Sequence, residues 1–222
     1  MRFIGDVHGK FKRYRELIRD IPASIQVGDM GVGFKKYRAD RELIPDTNPP
    51  FDAMSEGSHR FIRGNHDNPG VCKEHKYYIP DGHTETIQGS KIMYIGGAVS
   101  IDKAWRTEGI DYWSDEELSY PELDSLINTY RKYKPDIMIT HDCPESIANE
   151  MMMAFNTTKK DFPSRTRQAL EAMFYHHQPK YWIFGHWHRT ISFNTLGTAF
   201  RCLGELEYLD MNLETLEESV RG

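Results

Sequence analysis

The sequence predicts an α/β fold, and three observations carry that expectation. Short apolar runs recur along the 222 residues, too brief for buried helices but right for covered strands. Segments with helical apolar spacing fall between them. Polar signatures follow the runs at once, at the carboxyl ends where open α/β sheets build their sites.

The elements follow in order. Residues 2–4 read as a strand, and 10–20 as a helix with Phe11, Tyr14, Leu17 and Ile18 on one face. A strand at 24–27 ends at Gly28-Asp29, and turn residues crowd 46–50. The run 60–62 ends at Gly64-Asn65-His66-Asp67. Segments 84–88 and 91–95 flank Gly89-Ser90 as a hairpin. A helix is expected over 115–130, with an acidic first turn at 114–117 and Leu118, Leu123, Leu126 and Ile127 on its apolar face. The strand 137–140 ends at His141, a helix covers 163–176, and the strand 181–184 ends at Gly185-His186. Strands at 190–194, 199–203 and 205–210 close the chain, and Met151–Met153 reads as helix packing. With no repeat or linker, the expectation is one domain over 1–222, with 96–113 as a candidate specificity insert.

Composition excludes several classes. No apolar run approaches the roughly 18 residues of a membrane span, and the opening MRFIGDVHGK turns polar too early for a signal peptide. Cys72, Cys143 and Cys202 form no CxxC pair, so they read as reduced thiols of a cytoplasmic protein. A formal net charge of −5 argues against stable binding of long nucleic acid. The short basic runs 10–15 and 35–38 read as solvated faces.

Chemistry concentrates in Asp6-x-His8, Gly28-Asp29, Gly64-Asn65-His66-Asp67, His141 and Gly185-His186-x-His188. Residues two apart on an extended strand point to the same side, so Asp6 and His8 can grip one ion. Gly28 allows a tight turn before Asp29, whose two carboxylate oxygens can bridge two cations. Carboxylates, an amide and imidazoles without thiolate suit manganese, iron, zinc, cobalt or nickel better than calcium or copper(I). Ions about 3.5–4 Å apart would clamp a phosphoryl group and supply a bound hydroxide for in-line attack. No Gly-x-Ser-x-Gly elbow offers a protein nucleophile instead.

The order GDVHG, GD, GNHD, HD and GHWH resembles the calcineurin-like metallophosphoesterase superfamily, over residues from about 4 to 190. The resemblance implies a four-layer α-β-β-α sandwich, with two mixed sheets flanked by helices. It implies two divalent ions, manganese foremost: Asp6, His8 and His188 on one, Asn65, His141 and His186 on the other, and Asp29 between. His66 would then be the catalytic histidine, since an imidazole's ordinary pKa near neutrality suits proton transfer to a leaving oxygen.

Around this set the readings stay open. Arg63 and Arg106 are candidate phosphate binders. Asp67 either orients His66 or caps the next helix, with the cap ahead. Asp142 either supports an imidazole or is a plain loop acid. Trp105, Tyr112 and Trp113 either wall the site or pack as core. The chain also resembles serine/threonine-type phosphoprotein phosphatases at Arg63-Gly64-Asn65-His66. It lacks their VDRG turn, having Met30-Gly31-Val32-Gly33-Phe34 instead, and has Asp67 where they carry glutamate. The expected activity is hydrolysis of a small or generic phosphomonoester. A nucleotide phosphodiesterase or nuclease, a phosphoprotein phosphatase and a non-catalytic scaffold are the alternatives, in that order.

Overall fold

The apolar runs alternate between two buried faces, and the alternation sets the layering. In the computed structural model of the protein, which describes residues 1–37, 39, 41–45, 50–155 and 163–219, Ile137 and Ile139 pack with Phe3, Ile25 and Ile183. Met138, between them, packs with Trp182 and Phe184 on the opposite side. Both faces of each such strand are therefore covered, which is why the runs are continuously apolar.

In chain order the first half comprises β1 (Arg2–Ile4), α1 (Phe11–Ile18), β2 (Ala23–Gln26), β3 (Lys35–Tyr37), β4 (Leu43–Pro45), α2 (Phe51–Met54), β5 (Ser58–Phe61), α3 (Pro69–Lys73), β6 (Thr84–Ile87) and β7 (Ser90–Ile95). The second half comprises α4 (Tyr120–Tyr133), β8 (Ile137–Thr140), α5 (Glu145–Ala154), α6 (Arg165–His176), β9 (Tyr181–Phe184), β10 (Ile191–Thr195), β11 (Thr198–Cys202), β12 (Tyr208–Asn212) and β13 (Glu217–Glu218). One mixed sheet has the order β13-β12-β1-β2-β5, the other β10-β11-β9-β8-β7-β6, and β3 pairs with β4 alone. In the first, β1, β2 and β5 run parallel. In the second, β7, β8, β9 and β11 do.

Three apolar clusters separate four layers. The central one lies between the sheets. A second joins the larger sheet to α4, α5 and α6 through Tyr130, Met151, Met173 and Phe174. A third joins the smaller sheet to α1 and its neighbours through Tyr14, Leu17, Met54 and Cys72. Two mixed sheets flanked by helices are what the motif resemblance implied and strand reading alone did not reach.

Two expectations for helices and turns change. The helix expected over 115–130 starts at Tyr120, capped by a Ser119/Glu122 box, because Pro121 is tolerated only in a first turn. The hairpin turn falls on Gln88-Gly89, both at positive φ (50° and 85°), one residue earlier than expected; a two-residue turn with both centres left-handed matches strand twist. Of the methionine triplet, Met151 is buried and Met153 is 73 % exposed, as one helical face allows. The turn residues 46–49, and Arg38 of the basic run, lie outside the described residues. No described helix is long and apolar enough to cross a membrane.

Replacing Ile139 by Ala in the inter-sheet core should cost about 2–5 kcal/mol in urea unfolding. Met153→Ala should stay within about 0.5 kcal/mol. Equal losses would contradict the burial described.

Candidate metal centre

Five loops meet at the carboxyl ends of β1, β2, β5, β8 and β9, so both sheets contribute. Backbone bonds draw them together. Val7 and His8 N–H both donate to the Asp29 carbonyl, at 2.9 and 2.8 Å, and Gly185 N–H donates to the His141 carbonyl at 3.1 Å. Two glycines permit the contact. A side chain at Gly28, which has φ 101°, would run into the His141 ring, and one at Gly64 into the Asp29 carboxylate.

Asp6, His8, Asp29 and His188 each offer a ligand atom within 4.8 Å of the others, and so do Asp29, His141 and His186. Asp29 belongs to both groups. Asn65 joins the second, its Oδ1 lying 3.1 Å from His141 Nε2. His8 Nε2 and His188 Nε2 stand 3.0 Å apart, with Asp6 Oδ2 3.3 Å from the latter. Asp6, Asp29, Asn65 and His141 are buried, whereas His188 is half exposed and the His8 edge is partly open. The cluster thus has a closed floor and an accessible rim.

The donor set fits divalent cations. Backbone N–H groups of His186 and His66 hold Asp6 Oδ1 and Asp29 Oδ1, at 3.1 and 2.7 Å. Among the described residues the second oxygen of each carboxylate is buried without a hydrogen-bond donor. Such groups are costly unless a positive charge faces them. His141 Nδ1 donates to the Val27 carbonyl at 2.9 Å, which directs Nε2 at Asp29 and Asn65, the second-shell arrangement typical of metal-bound imidazole. His8 (φ 47°), Asp29 (58°), His186 (66°) and His188 (51°) all hold left-handed backbone, a conformation that non-glycine residues keep only when their surroundings over-determine it.

The protons tell the same story. Burial pushes Asp6 up to about 8, with Asp29 adding to the effect and His141 opposing it. Burial works to raise Asp29 too, but His141, His66 and His8 outweigh it and hold it well below the carboxylate range. Burial lowers His8 and His186 to about 4. At His141 burial is overcome by Asp29 and Asp6, and the imidazole rises to about 10. A proton on His141 is therefore the charge that balances Asp29, and a cation would compete for that place.

His66 sits at the rim. Its ring stacks on Phe34 at 6.1 Å, meets His8 edge-on at 5.3 Å, and has Arg106 Nη2 3.4 Å from its Nε2. Arg106 is held by Asp102 at 2.7 Å and by the Asp111 carbonyl at 3.1 Å, so the 96–113 segment does reach the site. Trp113 packs edge-on against Phe34 at 5.2 Å and is buried, while Trp105 is 91 % exposed.

Several neighbours differ from their sequence reading. Arg63 does not face the cluster. It is buried against Asp81 at 2.8 Å and donates to the Glu116 carbonyl at 2.6 Å, because a guanidinium at that strand end can satisfy two separate chain segments. Asp67 is no helix cap; Asn68 caps α3. Its carboxylate accepts the N–H groups of Met30, Gly31, Val32 and Gly64 at 2.7–3.2 Å, tying the turn after Asp29 to the turn that carries Asn65. Met30 and Val32 are core residues, so only the end of that turn, at Phe34, faces the site. Asp142 accepts from the Trp187 indole at 3.1 Å and bonds no candidate ligand ring. Ser100, which accepts from Asn65, and Glu116, which holds Ser100, carry no motif and are not legible in the sequence.

A calcineurin-like phosphoesterase profile matches residues 2–190, spanning every strand end that contributes to the cluster. The chain belongs to the calcineurin-like phosphoesterase family. It is thus a metal-dependent hydrolase of phosphate esters by family. No curated protein matches the chain significantly. Among solved structures, the phosphopantetheinyl hydrolase of Mycobacterium tuberculosis shares the fold at TM-score 0.52 and 10 % identity, over 92 % of this chain and 89 % of that one. An archaeal phosphodiesterase aligns at TM-score 0.44 and 11 % identity, over 99 % and 98 %.

Asp67→Asn tests the frame. A helix cap would tolerate Asn, whereas here an amide nitrogen must face a backbone N–H. Unfolding of the metal-free variant should show a loss of about 1–3 kcal/mol; a neutral result would restore the cap.

Proposed function

We propose that this phosphoesterase uses two divalent ions, manganese foremost, to hydrolyse small phosphomonoesters. The supporting observation is Asp29, shared by two donor groups and left with a buried oxygen that no described donor satisfies. On this reading Asp6, His8 and His188 hold one ion, Asn65, His141 and His186 the other, and Asp29 both. When bound, such ions supply the charge that polarises a phosphoryl group and acidifies an attacking water.

The chain's own residues do the rest. His66, at the open rim, delivers a proton to the leaving oxygen. Arg106, held in place by Asp102, binds a phosphate oxygen beside it. Phe34 and Trp113 back His66 with apolar surface, limiting water behind the ring. We read residues 1–222 as one domain in which the 96–113 segment sets specificity. The exposed Trp105 gives the diesterase reading its footing, since a bare indole can stack a base.

Protein loaded with manganese should hydrolyse p-nitrophenyl phosphate, and a chelator should abolish the activity. His66→Ala should lower kcat by about 10²–10⁴-fold with manganese uptake unchanged. Turnover of the bis-ester alone would favour the diesterase; hydrolysis of neither ester would overturn the proposal.

A further inference from the structure

The hydrogen bonds around Asn65 permit one orientation of its amide. Ser100 has a single hydroxyl proton, and it goes to Glu116 Oε2 at 2.5 Å, since a carboxylate can only accept. Glu116 Oε1 accepts the Ser100 backbone N–H at 2.9 Å. The lone pair of Ser100 Oγ therefore takes a hydrogen from Asn65 Nδ2, 3.0 Å away. The other end of the amide, Oδ1, is left turned toward His141 and Asp29. Asn65, Ser100 and Glu116 are 2, 2 and 3 % exposed, so water does not substitute. Arg63, from the turn before Asn65, donates to the Glu116 carbonyl and closes the loop of contacts.

An amide rotated the other way would aim Nδ2, a donor, at the cluster, and a donor cannot ligate a cation. We propose that Ser100 and Glu116 are positioning residues that select the oxygen of Asn65 as the ligand face; this rests on the two-ion reading above. Ser100 lies near the start of the 96–113 segment and Glu116 just beyond its end. The segment that brings Arg106 to His66 is thus anchored through the same contacts that orient a ligand. Wall and ligand are set together.

The test is titration of metal-free protein with manganese alone, followed by the EPR signal of free Mn(II). Burial raises the Glu116 carboxyl to about 7, against the two bonds from Ser100, so the titration is run at pH 8, where the carboxylate prevails. Wild type should take up two ions. Ser100→Ala should bind one ion as wild type does and the other about 10–100-fold more weakly, and Ser100→Thr, which keeps the hydroxyl, should recover most of the loss. Glu116→Gln, which sets an amide N–H₂ against Ser100, should weaken the same ion. Two wild-type affinities in Ser100→Ala would overturn the inference while leaving the two-ion reading standing. Equal weakening of both ions with a lowered melting midpoint would overturn it in favour of a purely structural role. Uptake of fewer than two ions by wild type would overturn the two-ion reading and this inference with it.

Discussion

Two carboxylates of like charge, Asp6 and Asp29, are buried where the strand ends of two sheets meet, and the site is organised around balancing them. Each has one oxygen tied to a backbone N–H and one with no donor among the described residues. Removing such charges from water is costly unless positive charge faces them. Without a metal, part of that charge is a proton on His141, raised because Asp29 and Asp6 outweigh its burial. The remaining mismatch shows at Asp6, which burial drives toward the neutral form. Cations at the two donor groups would relieve both conditions at once.

Other acids hold this arrangement in place, and none of them is a candidate ligand. Asp67 gathers four backbone N–H groups from two turns. Asp81 pairs with Arg63, which reaches on to Glu116. Glu117 accepts from the Ser164 hydroxyl and the Thr166 N–H, at 2.7 and 2.9 Å, and so caps the start of α6. Asp67, Asp81 and Glu117 act as knots between chain segments, bonded to backbone N–H groups, a guanidinium and a hydroxyl, while His8, Asp29, His186 and His188 keep left-handed backbone because their surroundings over-determine it.

What the sequence revealed follows from how far each signal reaches. Strand ends carrying polar motifs placed Asp6, Asp29, Asn65, His141 and His186 in one region, because parallel strands present their carboxyl ends together. Short continuous apolar runs marked β1, β8 and β9, with bounds that match the structure. The two-sheet layering needed the side-by-side sorting of Ile137 and Met138, which an apolar string does not display. Acids misled most. The stretch 114–117 looked like a helix start, yet Glu116 and Glu117 bind Ser100 and Ser164, residues 16 and 47 positions away. Arg63 and Asp67 misled for a related reason: Arg63 bonds Asp81 and Glu116, and Asp67 bonds the turn after β2, distant partners of which local spacing carries no trace.

Anomalous diffraction from crystals of the manganese-loaded protein bears most directly on the shared role of Asp29. Two peaks are expected, one against Asp6, His8 and His188 and one against Asn65, His141 and His186, with Asp29 touching both. A single peak, or a pair that leaves Asp29 unbound, would contradict it.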